Sequence, residues 1–392
     1  MERLVIFPMI TTGLSPNVER DDIRLALTTL LQPWLWRHGR ADVELQSELQ
    51  QYFRTEYVYP VNSGRTALLI LLQSLQLTKD DEVLLQGFTC NAVSNPILWS
   101  GAKPVYVDIE PDSYNMSPTD LTKKISSRSK VLIIQHTFGT SAKLTELLAI
   151  AKQHQLYVIE DCAHALGARY QQQLVGTFGD AAIFSFGRDK VISSVYGGAL
   201  LTKQPFTLPS LPSPSLFWIK QQLVHPFITQ FRWFLPVAQR LKIISLAVTD
   251  GERVGQQPGY FPAMLPNGLA RLALHQLRKL EVLNQHRRTL AAFYHQQLNQ
   301  ASWFDDSIYL RYTVRVTNRE KVLALAKKSG IILGDWYAAP VVPGHPQQFG
   351  YTAGSCPVAE QTAQVVINLP THIGIKAKHA KQICAVVKPY VD

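Results

Sequence analysis

Between residues 60 and 202 the chain alternates short β-rich apolar runs with segments of helical length. The runs are Glu82–Leu85, Pro104–Asp108, Val131–His136, Tyr157–Asp161, Ala182–Phe186 and Ala199–Thr202; segments between them include Arg65–Leu75, Asn91–Ser100 and Ser141–Gln155. Strands that are apolar almost throughout are covered on both faces, which predicts βαβ units around a mostly parallel sheet. Ligands of such sheets lie outside the carboxyl ends of the strands, so polar residues just beyond those ends are the first candidates for chemistry.

Residues 203–250 interrupt this rhythm. A proline-rich connector, QPFTLPSLPSPSLF, leads into an apolar stretch. Gln222, His225, Thr229 and Arg232 recur there at helical spacing, with Leu223, Val224, Phe227, Ile228 and Phe231 on the other side. Pro226 and Pro236 are expected to kink or end its helices. Farther on, apolar residues every three to four positions predict one long helix over Asn267–Leu298, with Arg278, Lys279, Arg287 and Arg288 on a basic face. A Tyr309–Val316 strand, an Arg319–Ser329 helix, an Ile331–Trp336 strand and a Lys376–Val387 helix complete a small α/β domain. The expected organisation is a large α/β domain over residues 1–265, with an apolar basic insertion at about 203–260. A linking helix and small C-terminal domain follow over 266–392.

The length of 392 residues exceeds what one hydrophobic core usually serves, in keeping with one domain of about 250 residues and a smaller one. With 46% apolar residues and no low-complexity tract, disorder, collagen and coiled coil are excluded as the main architecture. The balance is basic: 39 Lys and Arg against 29 Asp and Glu, formally +10. Nucleic acid, an anionic membrane face or a phosphorylated substrate would each suit that charge. The basic residues are dispersed and form no recognised nucleic-acid module, so no nucleic-acid partner is expected. Cys90, Cys162, Cys356 and Cys384 are scattered, without a C-x-x-C pair or clustered His. That argues against a metal site or disulfide framework and suits a reducing cytoplasm. The opening MERLVIFPMITTGLSP lacks the basic start and longer apolar run of a signal peptide, and no apolar run is long enough to span a membrane.

Three segments carry chemistry. Asn62-Ser63-Gly64-Arg65-Thr66-Ala67 is a Gly-containing turn opening a helix, where free N–H groups could cradle a phosphate; a plain capped helix start looks the same. Val158-Ile159-Glu160-Asp161-Cys162-Ala163-His164 ends a buried strand in acids, and Asp161 could keep a ring nitrogen protonated or merely cap the next turn. In Phe184-Ser185-Phe186-Gly187-Arg188-Asp189-Lys190, a lysine just past a strand end would lose its proton more easily through desolvation and could attack an aldehyde. Standing alone it reads as a surface lysine. Together, a phosphate cradle, a strand-end Asp and a following Lys make the minimum set for pyridoxal 5'-phosphate.

With these residues in order, the sequence resembles the DegT/DnrJ/StrS sugar aminotransferases. The match runs through Ser63–Leu68, DEVLLQGFTCNAVSNPILWSGAKPVYVDIEP from Asp81, QHTFGT from Gln135, VIEDCAHALGARY, VGTFGDAAIFSF, Lys190 and Gly197-Gly198. It continues more weakly through the Asn267 helix to SCPVAEQTAQVVINLPTH. The resemblance implies the fold of type I pyridoxal-phosphate transferases, a large domain with a mostly parallel central sheet plus a small C-terminal α/β domain. It implies Lys190 as the Schiff-base and proton-shuttling residue, Asp161 at the pyridine nitrogen, and His164 beside the ring. Ser185, with Ser63, Gly64 and Arg65, is implied at the phosphate. It also implies a homodimer that transfers an amino group, usually from glutamate, to a nucleotide-linked keto sugar.

The chain departs from the family pattern at several positions. Cys90 stands where relatives place an aromatic residue over the ring, and Arg65 where they place Thr, its guanidinium adding a phosphate contact. Val195-Tyr196 replaces Gly-Glu, and Ala270-Arg271 a pair of alanines. A branch of the family with His in place of the lysine dehydrates sugars, so Lys190 favours transamination. The alternatives are another pyridoxal-phosphate reaction, such as a dehydratase-like one, or a non-catalytic binding relative.

From Lys190 to Thr249 there is no Asp or Glu, while Lys203, Lys220, Arg232, Arg240 and Lys242 are spread along the stretch. The insertion is expected to pack on the large domain or a partner subunit. The sharper reading is a peripheral contact of residues 215–249 with the inner membrane face, through Phe217, Trp218, Phe227, Phe231, Trp233 and Phe234.

Overall fold

The structure, a computed structural model, describes residues 10–13, 15–231, 240–241 and 243–392. Seven strands form the central sheet: β1 (Val58–Val61), β2 (Glu82–Gln86), β3 (Lys103–Val107), β4 (Ser129–Gln135), β5 (Tyr157–Asp161), β6 (Ala181–Ser185) and β7 (Gly198–Thr202). Their order across the sheet is β1-β7-β6-β5-β4-β2-β3, and only β7 runs antiparallel to its neighbours. The reversal comes from residues 186–197, which turn the chain back beside β6 and carry Lys190 at the carboxyl edge.

The pleat explains why these strands read as apolar throughout. Leu84, Leu132, Ile134, Val158 and Ala182 project to one side, where Leu45, Leu49, Leu144 and Leu269 cover them. Val83, Val131, Ile133, Ile159 and Ile183 project to the other, against Leu68, Leu71, Val93 and Ile97. Each such side chain, fully buried, contributes roughly 1.5–3 kcal/mol. A third core gathers Leu290, Tyr294, Val322 and Ile383 around the antiparallel pair β8 (Arg311–Arg315) and β9 (Val366–Pro370).

Three sequence expectations are corrected. The long helix is two, Asn267–Leu277 and Leu280–Leu298. Neither Gly nor Pro marks the break; Lys279 is instead drawn to Asp21, Asp22 and Glu19 at the start of the Arg20–Leu30 helix, at 3.0–3.3 Å. The Ile331–Trp336 strand shrinks to Ile331–Ile332, paired with Ile10–Thr11, because Gly334 turns aside to bridge Asn368. In the insertion, the helix Leu216–Ile228 holds Pro226 in its last turn, and its polar side faces inward. Gln222, His225 and Thr229 are buried, while Leu216 and Phe217 are 48% and 66% exposed and Phe227 and Phe231 stay partly open to solvent. The polar side is partly satisfied by distant chain: Ser15 Oγ lies 2.9 Å from His225 Nε2, and Gln222 Oε1 accepts from Ser245 Oγ at 3.0 Å, while His225 Nδ1 has no hydrogen-bond partner among the described residues. Arg232, Trp233, Phe234, Pro236 and Lys242 lie outside the described residues. Among the described residues, no helix is long and apolar enough to cross a membrane.

Candidate active site

A cavity at the carboxyl edge of the sheet is lined by Ser63, Gly64, Arg65, Cys90, Asp161, His164, Ser185 and Lys190, so the predicted site residues converge. Gly64 opens the Gly64–Ser74 helix, with Ser63 as its cap; Ser63 Oγ accepts from Thr66 N–H at 3.0 Å. The N–H groups of Gly64 and Arg65 have no carbonyl within the helix to donate to, and the positive helix end lies beside them. The turn is packed backbone to backbone. A Cβ on Gly198 would stand 2.5 Å from Gly64 N and 2.6 Å from the Phe184 carbonyl, atoms that cannot swing away. Gly198→Ala is therefore expected to lower stability by about 3 kcal/mol. Gly259→Ala, with nothing within 4 Å, should be neutral in the same urea titration.

Alternation along β5 separates the two acids that end it. Glu160 turns away from the cavity and accepts from the N–H groups of Gly176, Phe178 and Gly179 at 2.7–2.8 Å and faces His136 Nε2 at 3.0 Å, a structural clasp. Asp161 turns into the cavity, where Oδ1 accepts from Ala163 N–H at 3.0 Å. No cation forms an ion pair with it among the described residues, and burial pushes its carboxyl above the usual range, partly offset by that N–H and by Lys190. His164 Nδ1 accepts from Phe138 N–H at 3.4 Å, which leaves the proton on Nε2. Its ring stacks on Phe138 at 5.7 Å, and burial holds it well below its ordinary pKa, so it stays neutral.

Lys190 is half-buried in the cavity wall, and desolvation pulls its ammonium below the usual lysine range. Its backbone is fixed from behind. Asn17 Nδ2 donates to the Lys190 carbonyl at 2.7 Å, and Arg287 donates to the Val191 carbonyl at 2.7 Å and to Asn17 Oδ1 at 3.0 Å. Ser185 lies against Gly64, with its Cβ 3.2 Å from where a Gly64 Cβ would be.

The Arg65 guanidinium is not free for a phosphate. It pairs with buried Glu252 and lies 4.5 Å from the Phe261 ring, so only its backbone N–H serves the turn. Glu252 belongs to a strap, residues 245–255, that closes one side of the cavity. Arg188 donates to Ser245 O and Oγ at 2.6 Å, Tyr196 Oη to Leu246 O at 2.6 Å, and Trp99 Nε1 to Gly255 O at 2.8 Å. Tyr196, one of the departures from the family pattern, is thus an anchor for the strap, and Trp218 is buried against it rather than presented outward. Its neighbour Val195 sits at φ +69°, a left-handed backbone that costs a β-branched residue roughly 1–3 kcal/mol and that Gly adopts freely. Cys90 caps the Asn91–Trp99 helix at the cavity edge, its Sγ 3.5 Å from Ala92 N.

Sequence reasoning gave Arg188 no role within the Phe184–Lys190 segment and missed Arg311, Trp336, Tyr337 and the strap's Ala247 and Val248 in the cavity wall, the latter five being distant in sequence. Only tertiary contact brings them there, and no local spacing signals it.

The arrangement fits a phosphorylated pyridine aldehyde. An unpaired buried carboxylate awaits a cation, a backbone-tight turn presents N–H groups, and a lysine with a depressed pKa stands beside both. Comparisons with known proteins agree. The model of the DegT/DnrJ/EryC1/StrS aminotransferase family matches residues 17–211 and 238–388. The chain is 26% identical over 378 residues to UDP-N-acetyl-3-dehydro-alpha-D-glucosamine 3-aminotransferase of Acidithiobacillus ferrooxidans, covering 94% of each. It is 25% identical over 391 residues to GDP-perosamine synthase of Vibrio cholerae, covering 96% of this chain and 98% of that one. The crystal structure of S. venezuelae DesV in complex with a ketimine intermediate superposes with a TM-score of 0.73 at 25% identity, covering 94% of each chain.

Proposed function

This chain belongs to the DegT/DnrJ/EryC1/StrS aminotransferase family, and from that premise we propose that it uses pyridoxal 5'-phosphate to move an amino group from an amino acid, glutamate first among candidates, to the keto carbon of a nucleotide-linked sugar. The observation that carries this reading is the convergence of Asp161, Lys190 and the Ser63–Arg65 turn on one cavity. Relatives that act on UDP- and GDP-linked sugars support the acceptor class.

In this reading the Gly64 and Arg65 N–H groups and the Ser185 hydroxyl would hold the phosphate, and the Asp161 carboxylate would pair with the pyridine nitrogen. The cofactor supplies an electron sink for the carbon that loses its proton. The neutral His164, with Nδ1 engaged by Phe138 N–H, would have its Nε2 proton free to donate to the bound group. The Lys190 amine, drawn toward its neutral form by desolvation, would hold the aldehyde and could serve as the base that moves the proton of the donor carbon. The strap and the buried wall keep water from competing with that transfer.

We also read the chain as a homodimer, as the family resemblance implies, and as cytoplasmic, which its scattered, unpaired cysteines suit. The outward apolar side of Leu216–Ile228, in an acid-free stretch, would suit a peripheral contact with an anionic membrane. Co-sedimentation with phosphatidylglycerol vesicles should then exceed that with neutral vesicles, and equal recovery in both would reject the contact.

The activity is tested by incubating the purified protein with pyridoxal 5'-phosphate, glutamate and a panel of nucleotide-linked 3-keto and 4-keto sugars. Mass spectrometry should show an amino sugar nucleotide and 2-oxoglutarate in equal amounts. No product from any sugar, together with no visible absorbance of bound cofactor, would sink the reading.

A further inference from the structure

Arg311 opens β8 and reaches the cavity that holds Lys190, Asp161 and His164. It is only 5% exposed, yet among the described residues its guanidinium has no hydrogen bond and no ion pair. Nearby carboxylates are engaged elsewhere: Asp189 Oδ1 accepts from Ser15 N–H at 3.2 Å, and Asp335 stands 4.0 Å from Arg319. A buried cation without a partner is costly, and a protein keeps one where a ligand supplies the anion.

The group is held ready for a planar ligand. Its central carbon lies 3.4 Å from the centroid of the Trp336 ring, with Phe138 at 6.0 Å. Stacking on an indole restrains the guanidinium face and leaves its in-plane N–H groups for a forked contact, the geometry a carboxylate matches with two parallel bonds.

Position separates this anion from the phosphate. The turn at Ser63–Arg65 follows β1, and Ser185 ends β6, whereas Phe138 follows β4. In the order β1-β7-β6-β5-β4, Asp161 on β5 stands between the two. Because Ser185 on β6 lies against Gly64, the relevant spacing is from β6 to β4, roughly 10 Å at about 4.8 Å per strand. The cavity therefore offers two anion sites on opposite sides of Asp161.

We propose that Arg311 binds a carboxylate of the amino donor. The inference rests on the aminotransferase reading and specifies its donor subsite.

The test uses the holoenzyme and its Arg311→Gln and Arg311→Lys variants, with circular dichroism melting to show that each folds. Glutarate binding is measured by calorimetry. Donor kinetics compare glutamate with its α-amide and with glutamine, so that the loss of either carboxylate is seen. Arg311→Gln should weaken glutarate and raise the glutamate KM roughly 100-fold, while the keto-sugar KM stays within about threefold. The preference for glutamate over one of its two amides should vanish in the same variant. Arg311→Lys should recover only part of the loss, since an ammonium lacks the fork. Unchanged glutarate binding and donor KM, or an equal rise in the keto-sugar KM, would overturn the assignment. Glutarate binding needs no turnover, so Arg311-dependent binding without amination of any sugar would uphold the anion site and count against the transamination reading alone.

Discussion

Replacing Lys190 by alanine is expected to lower turnover roughly 10,000-fold, because one side chain both holds the aldehyde and moves the proton. The loss should fall on kcat and leave the fold intact, since the loop is held through the Lys190 backbone by Asn17 and through Val191 by Arg287. Stopped-flow mixing with glutamate would show the donor half of the reaction almost abolished. The visible band of the bound cofactor should shift to that of the free aldehyde, while the phosphate cradle still retains it. A small primary amine in the buffer should restore part of the proton transfer. Turnover within tenfold of the parent would mean that another base does this work, and the assignment of Lys190 would fall.

The second large effect concerns Asp161, and its sign differs between the empty and the loaded protein. Burial raises this carboxyl above its usual range. In the cofactor-free protein the ionised form is thus disfavoured in the fold relative to the unfolded chain. Its cost to stability is present above the folded pKa and disappears as pH falls below the unfolded value. Asp161→Asn keeps an oxygen for the Ala163 N–H and removes the buried charge, so the cofactor-free variant should melt at or above the parent temperature at neutral pH. The difference should close in acid. With cofactor the order reverses: the variant loses the partner of the pyridine nitrogen, binds more weakly, and turns over roughly 100- to 1,000-fold more slowly. Thermal melts of both forms across pH, beside kcat, would check this. A cofactor-free variant that melts well below the parent would refute the account of Asp161 as an uncompensated charge.

How much of this was legible beforehand depended on how local each cause is. Strands such as Val131–His136 announce themselves because both faces are buried, and the residues just past their ends are candidates by position alone. Asp161 and Lys190 were legible for that reason. The break between Leu277 and Leu280 was not, because it is set by Lys279 meeting carboxylates some 260 residues earlier in the chain. The inward turn of the polar side of Leu216–Ile228 was not legible for the same kind of reason. Hydropathy places Gln222 and His225 outside, and only Ser15, Arg188 and Ser245 make their burial affordable. Arg65 shows the limit within the site itself: its type suggested a phosphate ligand, but Glu252 and Phe261 claim the guanidinium.

The strap has a consequence for when the site comes into being. During synthesis the phosphate turn, Asp161 and Lys190 emerge first, Glu252 later, and Arg311 with Trp336 later still, at about 5–20 residues per second. Until the strap docks on Arg65 and Tyr196, the cavity lacks the wall that Ala247 and Val248 supply. The complete cavity is therefore assembled late in the life of the nascent chain. A ribosome-stalled chain ending near residue 240, which contains Ser63, Asp161 and Lys190 but not the strap, would hold pyridoxal 5'-phosphate less well than the full chain.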